Sequence, residues 1–313
     1  MLLAVKDAIL RAENPASPMF SHPILTGFSG KKMLKALQYF CQLFKGQPDV
    51  CYVEVGVFQG LTLLSTAGAN PEMPCYGIDN FLQLDPEKKN LNTVQERQKT
   101  LSIANAHIIN QDYEDALLNL GKHIGNKKIA VYFIDGPHDY RSQLVCLLLA
   151  KPYLAENAII VIDDSNYRHV RLANADFLVS HPNFKLVYES YTSKHPQNMT
   201  AAQQTEALEG WWDGINIMVR DEQQLLPQML PTTHRNRELY VNDHIIHSAR
   251  LSVLAPHLLN AFNFWVKNNW WGALKALSGA FKHYKNRKHE FEGLFDDVNT
   301  HSGQIPTKMN QGL

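Results

Sequence analysis

No sign of charge dominates this 313-residue chain: 30 Lys and Arg stand against 30 Asp and Glu. A balanced field gives no electrostatic reason to expect nucleic acid as a partner. Cysteine is scarce, and Cys41, Cys51, Cys75 and Cys146 never fall at a C-x-x-C spacing. That argues against a metal or disulfide framework and for reduced core thiols; Cys51 and Cys146 lie within apolar runs. No stretch approaches the roughly 20 apolar residues that cross a bilayer. Residues 1–7 have no basic region ahead of their short apolar stretch, so they do not read as a secretory signal, and a cytoplasmic protein is the expectation. Internal repeats are missing too. What is there is an apolar share of 45%, enough for a sizeable core.

The arrangement of that apolar content is informative. Residues 1–30 carry Pro15, Pro18 and Pro23 and are expected to be irregular. Over 31–44, Met33, Leu34, Leu37, Phe40, Cys41 and Phe44 recur at a helical period. Short β-type runs then alternate with helical stretches: strands at 50–55, 74–78, 106–109, 129–134, 158–162, 184–189 and 215–219, helices at 61–69, 91–103, 113–120, 141–153 and 170–179. Helical crossovers between short apolar strands predict an α/β fold, a doubly wound, mainly parallel seven-stranded sheet covered on both faces. Ligands of such sheets bind beyond the carboxyl ends of the strands, and every polar motif of this chain lies at such an end. The alternation stops near residue 222. A domain over 31–221, a helical C-terminal extension over 222–298 and a disordered polar tail over 299–313 are expected.

Two acidic clusters close the fourth and fifth runs: Ile134-Asp135-Gly136-Pro137-His138, and Val161-Ile162-Asp163-Asp164-Ser165-Asn166. On adjacent parallel strands they would converge. Carboxylate oxygens suit a hard cation such as Mg²⁺, and an imidazole such as that of His138 is the side chain suited to taking a proton near neutral pH. The first run leads into Glu54-Val55-Gly56-Val57-Phe58-Gln59-Gly60. Gly56 permits a tight turn and close ligand approach, and Gly60 lets the next helix start close to the loop. Glu54 would repel a pyrophosphate but attract an ammonium group, which favours a cationic, phosphate-free cofactor over NAD. Asp79 ends the second run about 20 residues on, where an acid can accept both hydroxyls of a ribose. Asp112, after the third run, either accepts from an adenine amino group or caps the following helix.

With these residues the chain resembles class I S-adenosylmethionine-dependent methyltransferases over about residues 30–220, through Glu54-x-Gly56-x-x-x-Gly60, Gly77-Ile78-Asp79, Asp112 and the order of elements. The resemblance implies a Rossmann-like methyltransferase fold, with S-adenosylmethionine held by Glu54, Gly56, Gly60, Asp79, Asp112 and Asp135. Within that class, residues 133–140 and 162–164 are similar to the metal-dependent macrolide-sugar O-methyltransferases of the macrocin and mycinamicin type. That similarity implies Mg²⁺ on Asp135, Asp163 and Asp164, His138 as base, and a small hydroxylated acceptor. One departure is the turn before the fifth strand, Leu154-Ala155-Glu156-Asn157-Ala158, where the family often has Pro-Gly-Gly.

Two segments lie outside the resemblance. The polar insertion over 192–213 carries His195, Trp211, Trp212 and Asp213. In this fold it lies over the acceptor pocket or anchors the core at the entry to the seventh strand. The second segment, 255–284, reads as a helix with Phe262, Trp265, Trp271, Leu274, Leu277 and Phe281 at roughly helical spacing, and no Asp or Glu occurs from His244 to His289. Packing on the domain or on a second subunit of a homo-oligomer is the first reading of it. A peripheral membrane contact is the second.

Overall fold

The computed structural model describes residues 1–233 and 254–286. It divides into two compact units, Met1–His234 and Arg235–Leu313. The tail over 299–313 lies outside the described residues.

The first unit is built on a seven-stranded sheet of β1 (Val50–Val55), β2 (Cys75–Ile78), β3 (Ala106–Ile109), β4 (Lys128–Ile134), β5 (Leu154–Ile162), β6 (Phe184–Ser190) and β7 (Ile215–Arg220). Their order is β3-β2-β1-β4-β5-β7-β6. All neighbours are parallel except β7, which runs antiparallel between β5 and β6. This is the doubly wound, mainly parallel sheet that the alternating pattern predicts, in the strand order of the Rossmann-like methyltransferase fold that the resemblance implies. Successive side chains of a strand point to opposite faces, and both faces are buried. Val131, Phe133, Ile159 and Val161 join one core with Met33, Leu37 and Phe40 of α2 (Lys31–Gln42). Tyr132, Ile134, Ile160 and Ile162 join the other, with Cys146 and Leu147 of α7 (Tyr140–Ala150) and Phe177 of α8 (Arg168–Ser180). Continuous apolar runs, rather than alternation, mark strands covered twice. All four cysteines are buried and free.

Residues 1–30 are not irregular throughout. Leu2–Glu13 forms α1, with Val5, Ala8, Ile9 and Ala12 buried. That spacing is helical; the three prolines all follow the helix and end it. The half-buried Glu13 at its end ties α1 to the sheet. It accepts from Trp211 Nε1 (2.6 Å), from the Tyr188 hydroxyl and from the Lys32 ammonium. Burial pushes its carboxyl up, but these three donors outweigh burial and hold it below the ordinary 4.5. Glu13→Ala removes the acceptor that Trp211, Tyr188 and Lys32 share and leaves the Trp211 N–H only the Tyr188 oxygen at 3.1 Å, so urea unfolding should report a loss of about 1–3 kcal/mol. Because the folded value is depressed, this stabilisation is full above the unfolded value and is lost as pH falls through the folded one.

The insertion between β6 and β7 is not loop alone. Ala201–Glu209 forms a helix, α9, opened by a capping box in which Thr200 and Gln203 bond each other's backbone. In the second unit, described by itself, the residues over 255–284 expected as one helix form two, Ala255–Val266 and Trp270–Asn286, with Asn268 at a left-handed φ of 57° in the turn between them.

Candidate active site

The four motif residues that follow β1, β2, β4 and β5 extend the sheet's hydrogen bonding one step past each strand. Asp79 N–H donates to Ile109 O (3.2 Å), Gly56 N–H to Ile78 O (2.9 Å), Asp135 N–H to Val55 O (2.8 Å) and Asp163 N–H to Ile134 O (3.0 Å). Strand pairing alone therefore sets them side by side along one edge. A cavity of about 270 Å³ opens there, lined among others by Gly56, Asp79, Asp112, Asp135, His138 and Asp164.

On the nucleoside side of this cavity, as the sequence reading has it, Asp79 organises the glycine loop. Its Oδ2 accepts from Val57 N–H (2.9 Å) and Phe58 N–H (2.8 Å), and its Oδ1 from Phe81 N–H (2.7 Å). A carboxylate has about four acceptor sites, so capacity remains for ligand hydroxyls. Asp112 caps the helix α5 (Tyr113–Leu118), accepting from Glu114 N–H at 2.9 Å, and it also lines the cavity. The two readings of Asp112 are thus compatible. Gly56 has φ 93°, and a Cβ there would sit 1.8 Å from Asp135 O. Gly60 (φ 81°) caps α3 (Leu61–Ala69) but does not line the cavity.

Glu54 is fully buried and does not line the cavity either. Tyr52, two residues earlier on the same face of β1, donates its hydroxyl to Oε2 (2.6 Å), and Thr62, which does line the cavity, donates to Oε1 (3.1 Å). Burial pushes the Glu54 carboxyl up to about 8, against those two hydrogen bonds. The Glu54 carboxylate thus stands one layer back from the cavity, behind Thr62.

Past β4 and β5 the acids converge. One donor atom each of Asp135, His138 and Asp164 lies within 4.8 Å of the others, and His138 Nε2 is 2.9 Å from Asp164 Oδ2. Asp164 adopts a left-handed φ of 51°, a conformation Asp tolerates. That turn separates the acidic pair. Asp163, expected beside Asp164 on the cation, stays outside the three-residue group; it is buried, and its Oδ1 accepts from Asp164 N–H (2.9 Å). Burial, then the charges of Asp163 and Asp164, push the Asp135 carboxyl well above its ordinary value.

The β6–β7 insertion reaches this corner. Asp213 is buried; burial and then Asp164 push its carboxyl up to about 7, and its Oδ2 lacks a hydrogen bond, with His195 Nε2 at 3.5 Å. His195 Nε2 also meets the Tyr167 hydroxyl at 2.9 Å, and the Tyr167 ring stacks on His138 with centroids 5.1 Å apart. Asn166 pins the insertion to this corner. Its amide donates to Asp213 Oδ1 (2.7 Å) and its oxygen accepts from Thr192 N–H (3.0 Å). Arg141 is held by Glu114 through two bonds, 2.6 and 3.0 Å. The paired tryptophans divide their work. Trp211 is the core anchor that binds Glu13, whereas the Trp212 ring stacks on Phe28 (6.4 Å), which also meets Phe58 (5.5 Å).

The family described as "Methyltransferase domain" matches residues 53–165, the stretch that runs from β1 to the acidic pair. Residues 53–165 form a methyltransferase domain. With the sheet order above, it is of class I, and the family implies S-adenosylmethionine as methyl donor. No curated protein matches the sequence. Among solved structures, the chain is similar to an O-methyltransferase from Bacillus cereus in complex with SAH, at 10% identity over 70% of this chain and 91% of that one, with a TM-score of 0.44. It is also similar to the O-methyltransferase TomG from Streptomyces achromogenes, involved in tomaymycin synthesis, at 15% identity over 70% and 89% of the two chains, with a TM-score of 0.44.

Three aromatic contributors to the methyltransferase cavity escaped the sequence reading. Phe28 comes from the segment ahead of α2, Phe81 from the turn after Asp79, and Tyr113 from the start of α5. None belongs to a motif, and only the folded chain brings Phe28 to the mouth of the site. Tyr167, stacked on His138, gave no signal either: a tyrosine at a helix start usually packs.

Proposed function

We propose that the chain is an O-methyltransferase that methylates a hydroxyl of a sugar or another small molecule, with Asp135 and Asp164 holding Mg²⁺ and His138 accepting the hydroxyl proton. The observation that carries this reading is the convergence of Asp135, His138 and Asp164 within 4.8 Å beside the glycine loop and Asp79. Carboxylates crowded here bind protons unusually well, and the buried Oδ2 of Asp213 has no hydrogen bond, with only His195 Nε2 at 3.5 Å beside it. Such a site is short of positive charge, and a donor set rich in carboxylates suits a hard cation. The similarity of residues 133–140 and 162–164 to macrolide-sugar O-methyltransferases is what favours a sugar hydroxyl as acceptor.

When bound, S-adenosylmethionine supplies a sulfonium methyl that is open to direct displacement. When bound, Mg²⁺ supplies charge that lowers the pKa of an acceptor hydroxyl. The chain does the rest. Asp79 and Asp112 accept from the ribose and the adenine amino group, Gly56 lets the loop backbone approach the ligand, and Glu54 with Thr62 receives the amino end. Gly60 starts α3 close to that loop. His138 takes the proton from the acceptor oxygen at Nδ1, the ring nitrogen that Asp164 does not hold, as the new O–CH₃ bond forms and the S–CH₃ bond breaks, and Asp164 at Nε2 stabilises the imidazolium. Asp163 stays behind Asp164 and holds its turn. General-base help of this kind is worth about 10²–10⁴-fold.

A second reading has support of its own. The 2.9 Å contact between His138 and Asp164 is also a complete base-and-orienter pair that works without a cation. Dialysis against EDTA, followed by methyl-transfer assays on a panel of hydroxylated acceptors, separates the two. Loss of turnover that Mg²⁺ restores is the expected result. Turnover unchanged by EDTA would leave a metal-free enzyme.

A further inference from the structure

The two described helices of the second unit are packed inside out. Between residues 254 and 286 the buried side chains are mainly small: Ala261, Ala273 and Ala280 are 5–8% exposed. The large ones face outward. Phe262, Trp265, Trp270, Trp271, Leu274 and Phe281 are between 50 and 84% exposed. A hairpin folded only for water would reverse this, because aromatic side chains carry the largest gain on burial. The two helices, α10 (Ala255–Val266) and α11 (Trp270–Asn286), thus approach through alanine and leave their apolar stripes unsatisfied.

The stripes are regular. On α10 exposed Leu258, Phe262 and Trp265 recur at helical spacing, and on α11 Trp270, Leu274, Leu277 and Phe281 do the same. The Phe262 and Trp265 rings meet edge to face at 5.9 Å, and Trp265 meets Trp270 at 6.3 Å, so the two stripes join at the turn. Three tryptophans, Trp265, Trp270 and Trp271, flank that turn. Tryptophan prefers the boundary between hydrocarbon and water. Lys267 lies in the turn, and helical spacing sets Lys275, Lys282 and Lys285 along one edge of the α11 stripe, all exposed. Residues 254–286 contain no Asp or Glu.

We propose that this hairpin docks on an anionic lipid surface, with the tryptophan-flanked turn and the aromatic stripes in the interfacial region and the lysines on the headgroup charges. Charge decides for lipid over a second copy of the chain. Two such faces brought together would oppose lysine to lysine with no acid to relieve it, whereas an anionic leaflet supplies the missing sign. No helix among the described residues is long and apolar enough to cross a membrane, so the hairpin lies in the interface plane rather than spanning it. This inference rests on the second unit alone and stands whatever acceptor the methyltransferase domain uses.

The test is sedimentation of the full chain with vesicles of phosphatidylcholine alone and of phosphatidylcholine mixed with phosphatidylglycerol, together with the tryptophan emission. The expected result is binding to the mixed vesicles, weakened by salt, with a blue-shifted emission and little binding to the neutral ones. Lys275→Gln with Lys282→Gln should weaken it about fivefold per lysine, and Trp270→Ala with Trp271→Ala should weaken it further. All four positions are exposed, and helical circular dichroism equal to that of the parent chain verifies that each variant keeps its helices. Equal binding to neutral vesicles, or none to either kind, overturns the proposal. So does a dimer that Trp270→Ala with Trp271→Ala dissolves in a chain that ignores vesicles, which would make a second copy the occupant.

Discussion

Gly56→Ala is expected to remove cofactor binding and to destabilise the methyltransferase domain by roughly 2–5 kcal/mol. Two separate penalties combine at this position. A left-handed φ of 93° disfavours any Cβ, at about 1–2 kcal/mol. The added carbon would also stand 1.8 Å from Asp135 O, a backbone atom that cannot swing away. Relief requires β1 and β4 to part at their carboxyl ends, where Asp135 N–H is bonded to Val55 O. Parting them moves Asp135 away from Asp164 and opens the loop held by Asp79. Gly46→Ala is the control. Its φ of 81° is similarly left-handed, but nothing lies within 4 Å of the new carbon, so it should lose only the conformational share. Urea unfolding and calorimetric titration with S-adenosylhomocysteine measure both. A Gly56→Ala chain as stable as Gly46→Ala, and binding normally, would mean that this close approach is not rigid.

The same strand ends show how far the sequence could be read. Runs such as Ile129 to Ile134 and the acids that close them are local features, and parallel pairing carries them to one edge without further information. The order of motifs along the edge was therefore legible, as was the likeness to methyltransferases. Side-chain direction was legible only in part. Glu54 and Tyr52 share a face of β1 by simple alternation, so the buried hydrogen bond between them was open to inference, although the glycine loop drew attention to the ligand instead. The fates of Asp163 and Asp164 were not open to it. They depend on the φ of Asp164, a turn angle that no spacing encodes. The helix Leu2–Glu13 was masked by the prolines after it. The neighbours Phe28, Tyr167 and Asp213 come from three distant segments, and proximity of that kind exists only once the sheet is assembled.

Asp164→Asn and His138→Ala carry the largest effect on catalysis: turnover should fall by about 10²–10⁴-fold in each, while S-adenosylhomocysteine binds within a few fold of the parent chain. Asparagine is the informative replacement at 164. It keeps the size of the side chain and tolerates the same left-handed backbone, so it removes charge without disturbing the turn that Asp163 holds. Two mechanisms then diverge in one variant. If Asp164 holds the cation, Asp164→Asn should need far more Mg²⁺ for half its maximal rate, and EDTA should silence what remains. If Asp164 instead orients His138, the loss should be indifferent to Mg²⁺, because what the imidazole then lacks is its anionic partner at 2.9 Å. His138→Ala should regain part of its rate with added imidazole in either case. A variant at 164 that loses S-adenosylhomocysteine affinity as steeply as turnover would place this acid in the donor pocket, and the division of the edge into a donor half at Asp79 and an acceptor half at Asp164 would fail.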